Sequence, residues 1–202
     1  MNDTALLTIG HSNHAVESFV ALLGEHGVTA VADVRSVPFS RFSPQFNQRQ
    51  VERSLADSGI KYVFLGKELG ARSTDPGCYE DGRVLYARLA ASGDFGSGIE
   101  RLTRGAATER IAIMCTEAEP LDCHRTVLVS RVLAERGVAV GHVHGDGRLE
   151  SHDAAMERLM AKFGLADADL FRTRDERMAE ALARQEERIA YVDEKLREEG
   201  SA

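Results

Sequence analysis

The chain has 202 residues and a net charge of −7, with ordinary fractions of hydrophobic (43%) and charged (28%) residues. This length suffices for one domain with a sizeable core plus an appendage, and the negative charge argues against general binding to nucleic acid. No apolar run approaches a membrane span, the first ten residues do not resemble a secretion signal, and three cysteines argue against a disulfide framework. We therefore expect a cytoplasmic protein without membrane contact.

Short apolar runs alternate with amphipathic segments along most of the chain. This pattern predicts five strands, at 6–10, 28–36, 60–66, 111–115 and 138–144. It predicts helices at 15–27, 49–59, 83–92, 96–105 and 125–137, with a loop at 67–82. Such alternation is typical of an α/β fold, with an open, mainly parallel five-stranded sheet and helices on both faces. We expect the strand order 3-2-1-4-5.

The C-terminal part of the chain reads as a helical extension. A linker begins near Gly145, and helices follow at 151–164, with Ser151 as the cap, and at 174–199. In the last helix, apolar residues from Met178 to Leu196 recur four and three apart. That seam fits either packing on the same chain or a homodimer. We accordingly divide the chain into an α/β domain, 1–150, that carries the site and a C-terminal helical extension, 151–202.

The most informative segment is IAIMCTEAEPLDCHR, residues 111–125. A buried strand ends in Cys115, Glu117 follows two residues later, and Cys123, His124 and Arg125 precede the next helix. A helix start favours anions and lowers the pKa of a thiol, because its free N–H groups and dipole present positive charge. The segment therefore marks a site without naming a reaction.

Polar residues also follow the other strands of the predicted sheet. Because ligands of open parallel sheets bind beyond the carboxyl ends of the strands, we expect one site there. The expected catalytic residues are His11, Cys115, Glu117, Cys123 and His124, and the expected ligand-binding residues are Ser12, Asp33, Arg35, Ser40, Arg41 and Arg125. Structural alternatives are a helix-capping role for His11 and Ser12 and an inert buried thiol for Cys115.

Several motifs in the chain match a known family. They are TIGHSN (8–13), DVRSVPFSR (33–41), PQFN (44–47), YVFLGKELGAR (62–72), MCTEAEPLDCHR (114–125), HVHGDGRLESH (142–152), LFR (170–172) and a pattern ending in RIAY at Tyr191. With them the chain resembles the domain-of-unknown-function 488 family of small bacterial and archaeal proteins. The resemblance implies an α/β fold and no established activity. It places the expected site residues, apart from Arg41, at motif positions, together with Pro38.

The first functional hypothesis is an enzyme that binds or acts on a phosphorylated or nucleotide-like small ligand. Arg125 and the amides of its helix would hold the anion, with help from Arg35 and Arg41. Glu117 would act as a general base or bind a hydroxyl group, and His11 would exchange protons near neutral pH. The chain contains no GxGxxG sequence and no P-loop, and the sequence names no cofactor.

Three other hypotheses stay open. Thiol, sulfur-transfer or redox chemistry would resemble that of rhodanese-like sulfurtransferases, although the acidic loop between Cys115 and Arg125 is longer than a tight anion loop requires. A metal site would use Cys115, Cys123 and His124 with His11 or His142; we rank it low because adjacent Cys-His ligands rarely both reach one ion. An interaction module would rest on the C-terminal heptads alone.

Overall fold

The computed structural model describes residues 6–199, so part of the segment compared with secretion signals lies outside the described range. Eight strands are present within that range. They are β1 Leu6–Gly10, β2 Ala30–Asp33, β3 Lys61–Phe64, β4 Tyr79–Glu80, β5 Arg83–Val84, β6 Ile111–Cys115, β7 Val140–Val143 and β8 Leu149–Ser151. One sheet has the order β3-β2-β6-β1-β7-β8, parallel except for the last strand, and β4 pairs with β5 as a separate hairpin.

Helices connect and cover these strands. They are α1 Val16–Glu25, α2 Gln48–Asp57, α3 Gly66–Leu69, α4 Tyr86–Ala90, α5 Gly93–Gly105, α6 Arg131–Glu135, α7 His152–Lys162, α8 Arg174–Ile189 and α9 Glu194–Glu199. Short 3-10 turns occur at Pro44–Phe46, Pro76–Cys78 and Pro120–Asp122. No helix among residues 6–199 is long and apolar enough to cross a membrane.

The predicted α/β fold is confirmed, but the predicted strand order is wrong. The strand at 111–115 lies between the first two strands instead of beyond the first, and it pairs in parallel with both. The three central strands are buried along their whole length, so their apolar pattern does not distinguish one neighbour from another. The predicted linker contains the edge strand β8, which has only three residues, of which only the middle one is buried.

The core lies on both faces of the sheet, as expected from alternating side chains. On one face, Leu6, Ile111 and Ile113 pack in the same cluster as residues of α5 and α6. On the other face, Leu7 and Met114 pack with residues of α1 and α2. Cys115 continues the face of Ile111 and Ile113, so its thiol points to the side of α5 and α6.

The helix predicted at 125–137 begins irregularly. Residues Arg125–Ser130 form a π-helical segment, which runs directly into α6. All six residues are buried, and the Ser130 hydroxyl donates to the Arg125 carbonyl at 2.7 Å. A π-helical turn is rare and is often found at functional sites. Here it places Arg125 inward at the point where the Cys115–Cys123 loop returns to the sheet.

The last predicted helix, 174–199, is two helices. A capping box at Thr173 starts α8, which ends at Ile189; Ala190 is extended and Val192 bridges to Arg83 before α9 begins. Leu182, Ile189 and Leu196 pack on the main core of the same chain. The seam therefore packs within the chain. The predicted cap of α7 is confirmed, since the Ser151 side chain accepts from the Ala154 amide.

Candidate functional site

A cleft of about 200 Å³ opens at the carboxyl ends of β2 and β6. Its floor is formed by residues that follow these strands or start the next helix, namely Arg35, Ser36, Cys115, Glu117, Cys123 and His124. Its outer wall includes Val37, Ala71, Arg72, Tyr86, Ile189 and Tyr191. Four of the five residues expected to be catalytic thus meet in one cleft, where the topology rule for parallel sheets places a ligand.

Hydrogen bonds from the first strand fix the loop that leaves Cys115. The His11 amide donates to the Cys115 carbonyl and the Ser12 amide to the Thr116 carbonyl, each at 2.9 Å. Gly10 lies so close to this loop that a Cβ there would stand 1.9 Å from the Glu117 carbonyl oxygen. A residue without a side chain is therefore required at position 10, because the Cys115–Glu117 loop passes directly against it.

The two thiols and one imidazole converge at the cleft floor. His124 Nδ1 lies 3.8 Å from Cys115 Sγ and 3.9 Å from Cys123 Sγ. His124 Nε2 lies 3.2 Å from the Val34 carbonyl oxygen, which can only accept, so Nε2 carries a proton. In the neutral ring, Nδ1 then offers its lone pair to the sulfur atoms.

Glu117 lies against the second thiol. The Cys123 Sγ donates to Glu117 Oε2 at 2.9 Å. Burial raises the pKa of Glu117 above its usual value, and the nearby charge of Cys123 adds to this increase. The carboxyl group is therefore a proton acceptor for Cys123.

The two cysteines are inequivalent. The hydrogen bond with Cys123, followed by burial, raises the pKa of Cys115. Burial disfavours the Cys123 thiolate, but the hydrogen bond from Cys115 and the positive charge of Arg125 lower the pKa of Cys123. Burial likewise opposes protonation of His124, yet its contact with Cys123 raises the pKa of the imidazole. Of the two thiols, Cys123 is therefore the one that loses its proton more readily.

Arg125 does not line the cleft. Its side chain is fully buried, and its guanidinium donates to the backbone carbonyls of Glu117 at 2.7 Å and Ala118 at 3.3 Å. The amides of Thr126 and Val127 donate to the Cys123 carbonyl, so they are not free for an anion. The structure thus places Arg125 and its helix start behind the loop, where they support it from inside, and not on the ligand side as the sequence predicted.

The expected acid/base role of His11 at neutral pH is also corrected. The ring is buried and stacks on Phe46 at 4.3 Å. Its Nδ1 donates to the Ser12 carbonyl at 2.8 Å, and its Nε2 accepts from Arg35 Nη1 at 3.1 Å. Burial and the charge of Arg35 lower the pKa of His11 to about 4. His11 is therefore neutral near pH 7, with both ring nitrogens engaged, and it orients Arg35.

Asp33 and Arg35 form a buried ion pair at the end of β2. Arg35 donates to both carboxylate oxygens, at 2.9 and 2.6 Å, and Tyr62 donates to Asp33 at 2.7 Å. The positive charge of Arg35 is thus neutralised by Asp33 although Arg35 reaches the cleft floor. Asp33 itself is fully buried and does not line the cleft.

Three further residues expected at the site lie outside the cleft lining. The Ser40 hydroxyl accepts from the amides of Phe42 and Ser43, so it stabilises its own turn. Arg41 is exposed on this turn. Ser12 has φ 48°, and α1 is capped at Ala15 by no side chain, so the predicted capping role is wrong.

Sequence reasoning missed the outer wall of the cleft. The guanidinium carbon of Arg72 lies 4.5 Å from the centre of the Tyr191 ring. The backbone amide of Arg72 donates a hydrogen bond of 3.0 Å to the Ser36 hydroxyl. Both residues end motifs that carry the family resemblance, YVFLGKELGAR and RIAY. Their position in these motifs was the signal that could have identified them as site residues. They were missed because neither residue directly follows the end of a strand.

Adjacent Cys-His ligands rarely both reach one ion, but in this chain the backbone brings the two side chains to the same place. Cys123 is extended (φ −138°, ψ 139°) and His124 is helical (φ −59°, ψ −27°), so the backbone turns between them. The ligand atoms of Cys115, Cys123 and His124 lie within 4.8 Å of one another. Among the residues that the structure describes, neither His11 nor His142 joins this group.

A family model described as domain of unknown function DUF488 matches residues 15–132. The chain belongs to this family. The match covers more than half of the chain and includes the Cys115 and Cys123 motifs, while the motifs at 8–13, 142–152 and 170–191 lie outside it. Searches of curated proteins and of solved structures found no match.

Proposed function

We propose that this protein is a cytoplasmic enzyme that binds a small anionic ligand in the cleft. In this proposal, the ligand carries a phosphate or a similar anionic group and reacts at the cluster of Cys115, Glu117, Cys123 and His124. Convergent thiol, imidazole and carboxyl groups with shifted pKa values are typical of working sites. Such a cluster in a cleft at the carboxyl edge of a parallel sheet supports an active site over a purely structural core.

The observation that carries the anionic part of the proposal is the position of Arg72. Its guanidinium is exposed at the cleft and lies over Tyr191. Among the side chains that the structure describes, no carboxylate forms an ion pair with it, whereas Arg35 is neutralised by Asp33. A guanidinium offers paired donors that suit phosphate and carboxylate groups. Arg72 therefore takes the role that the sequence assigned to Arg125.

The acidic residues that line the cleft do not neutralise Arg72. Asp122 lines the cleft, but Lys162 lies 2.9 Å from its carboxylate and lowers the pKa of Asp122. Glu117 is the remaining acid of the cleft floor, and its carboxyl group is turned toward Cys123. An anionic group beside Arg72 consequently meets one exposed cation that no described carboxylate neutralises. Glu117 is exposed, but its carboxyl group is engaged by Cys123 and its raised pKa favours the neutral form.

The size of the cleft limits the ligand. A volume of about 200 Å³ is below the usual range for drug-sized ligands. A second groove of about 590 Å³ shares Ser36 and Arg72 with the cleft and also contains Lys67. A small phosphorylated molecule fits the cleft itself, and a nucleotide-like molecule would extend along the groove.

A second candidate function is sulfur transfer at Cys123. The 2.9 Å contact with Glu117 favours it, because the carboxyl group can take the thiol proton. With thiosulfate, the Cys123 thiolate would form a persulfide and release sulfite. Detection of a persulfide by intact-protein mass spectrometry in the wild type, but not in Cys123→Ser, would favour this candidate over the first.

A thermal-shift screen tests the proposed anionic ligand. The panel contains inorganic phosphate, pyrophosphate, nucleoside phosphates and phosphosugars, and the proteins are the wild type, Arg72→Ala and the control Arg41→Ala. A ligand at about a hundred times its Kd adds about 2.7 kcal/mol, which raises the Tm of a chain of this size by roughly 5–11 °C. We expect the increase in the wild type and in Arg41→Ala and its loss in Arg72→Ala. An equal increase in Arg72→Ala would refute the assignment.

A further inference from the structure

The cluster at the cleft floor has the donor atoms and the spacing of a metal site. A tetrahedral zinc ion with Zn–S bonds of about 2.3 Å and Zn–N bonds of about 2.0–2.1 Å holds its sulfur and nitrogen ligands about 3.5–3.6 Å apart. The two separations from His124 Nδ1, 3.8 Å to Cys115 Sγ and 3.9 Å to Cys123 Sγ, exceed that spacing by a few tenths of an ångström. Small side-chain shifts would close the difference.

His124 is already oriented as a ligand. Its Nε2–H donates to the Val34 carbonyl, so the ring cannot turn without losing a buried hydrogen bond. Metal-binding histidines are usually held in this way, by a hydrogen bond from the ring nitrogen that does not bind the ion. The remaining nitrogen, Nδ1, faces both thiols, which is the arrangement that a shared ion requires.

The charges also fit a divalent ion. Two thiolates bring two negative charges into a buried place, and one divalent cation neutralises them. Thiolate and imidazole ligands select zinc and similar ions over magnesium or calcium, which prefer oxygen. The guanidinium of Arg125, behind the loop, adds positive charge on the side away from the cleft.

Glu117 does not fit as a fourth ligand in the same tetrahedron. Glu117 is not part of the group of donor atoms that all lie within 4.8 Å of one another, and its Oε2 is engaged by Cys123. The fourth position is therefore left to a small molecule from the cleft, which all three donors line. Three protein ligands with one open position are the pattern of catalytic zinc sites, whereas structural zinc sites use four.

We propose that Cys115, Cys123 and His124 bind one Zn²⁺ ion whose fourth coordination position opens into the cleft, beside Glu117. The proposal rests on the proposed function only for the claim that this open position meets the anionic ligand. The site itself stands on the three donor atoms, the fixed ring of His124 and the balance of charge.

The test is metal analysis of the untagged, reduced protein, together with its cobalt-substituted form. We expect about one zinc ion per chain by mass spectrometry. We also expect thiolate-to-cobalt charge-transfer bands and the absorption of tetrahedral cobalt. Cys123→Ser and His124→Gln should lose the stoichiometric ion, while Cys78→Ala should keep it, because Cys78 is a buried free cysteine outside the site.

Protein free of zinc that yields only octahedral cobalt absorption would overturn the proposal, and so would zinc retained in Cys123→Ser. The cobalt spectrum of the wild type decides the matter even where a variant fails to fold. Binding of phosphate compounds that depends on Arg72 in a protein without metal would leave the proposed function standing and refute only the zinc site. A stoichiometric zinc ion in a protein that binds no anion would support the zinc site and refute the proposed function.

Discussion

The Nη1 of Arg125 donates a hydrogen bond of 2.7 Å to the backbone carbonyl of Glu117, across the loop that separates the two cysteines of the cleft. The loop is therefore fixed from two sides. The amides of His11 and Ser12 donate to it from the end of β1, and the buried Arg125 guanidinium donates to it from the start of the next helix. The Nε of Arg125 has no hydrogen-bond partner among the described residues. The guanidinium therefore stabilises the loop and supplies positive charge next to Cys123.

Replacement of Arg125 tests this structural role. Arg125→Met keeps most of the volume but leaves the carbonyls of Glu117 and Ala118 without their donor, which should lower the free energy of unfolding by roughly 2–4 kcal/mol. Urea denaturation followed by circular dichroism measures the loss. If Arg125 instead faced a ligand, as the sequence suggests, its loss would leave the fold intact. Wild-type stability in Arg125→Met would therefore contradict the structural role.

Gly10→Ala tests the path of the same loop from the side of the sheet. The new methyl group would stand 1.9 Å from the Glu117 carbonyl oxygen, so the loop has to move and the variant should lose at least about 2 kcal/mol of stability. Gly96→Ala is the matched control, because Gly96 lies inside α5 and a Cβ added there would meet no atom within 4 Å. There the substitution should stabilise by up to about 1 kcal/mol. Equal stabilities of the two variants would contradict the structure.

Gln185 links helix α8 of the C-terminal extension to the loop that ends at Cys123. Its Nε2 donates to the Leu121 carbonyl at 2.8 Å and to Asp122 at 2.9 Å. Gln185→Leu fills the site but removes both donors, so we expect a loss of roughly 1–3 kcal/mol and faster amide hydrogen exchange at residues 121–123. Unchanged exchange there would show that α8 does not hold the loop.

A buried pair of histidines should make stability depend on pH. His142 Nε2 lies 3.1 Å from His152 Nδ1, and the Thr8 hydroxyl lies 2.8 Å from His142 Nδ1. Burial, followed by the charge of His152, lowers the pKa of His142 to about 3, and burial lowers that of His152 to about 4. The charged and titratable groups around the pair are Arg125, Arg131, Glu135, His144, Glu150 and Asp153.

Between pH 6.5 and about 4, the unfolded chain binds protons at these positions that the folded chain does not bind. The free energy of unfolding should therefore fall as pH decreases through this window, by up to about 1.4 kcal/mol per pH unit for each histidine. Urea unfolding at pH 7, 6 and 5 measures the slope. His142→Gln should have a shallower slope than the wild type, and an identical slope would refute the role of the pair.

The sequence predicted the elements well because their signals are local. The strand at 111–115 and the cap at Ser151 follow from apolar runs and capping chemistry, and both were placed correctly. Strand order was not predictable in this way, since the central strands are equally apolar. The break after Ile189 was missed because residues 190–193 contain no Gly or Pro.

The sequence predicted most residues of the cleft floor but none of the outer wall. Cys115 ends a strand and Glu117 follows it, so the topology of parallel sheets places both at the cleft. Arg72 and Tyr191 come from distant loops, and only tertiary packing brings them together. The sequence assigns Arg125 to the ligand because a guanidinium and free amides at a helix start suit an anion, whereas the π-helical turn directs this side chain inward.

The central claim is that an anionic ligand binds in the cleft beside Arg72. Chemical-shift mapping of the ¹⁵N-labelled protein, titrated with the phosphate compound that stabilises it most, tests this claim most directly. We expect the largest changes at the amides of Ser36, Val37, Arg72, Glu117 and Tyr191. Changes confined instead to the amides around Arg41, Arg49 and Arg53 would contradict it.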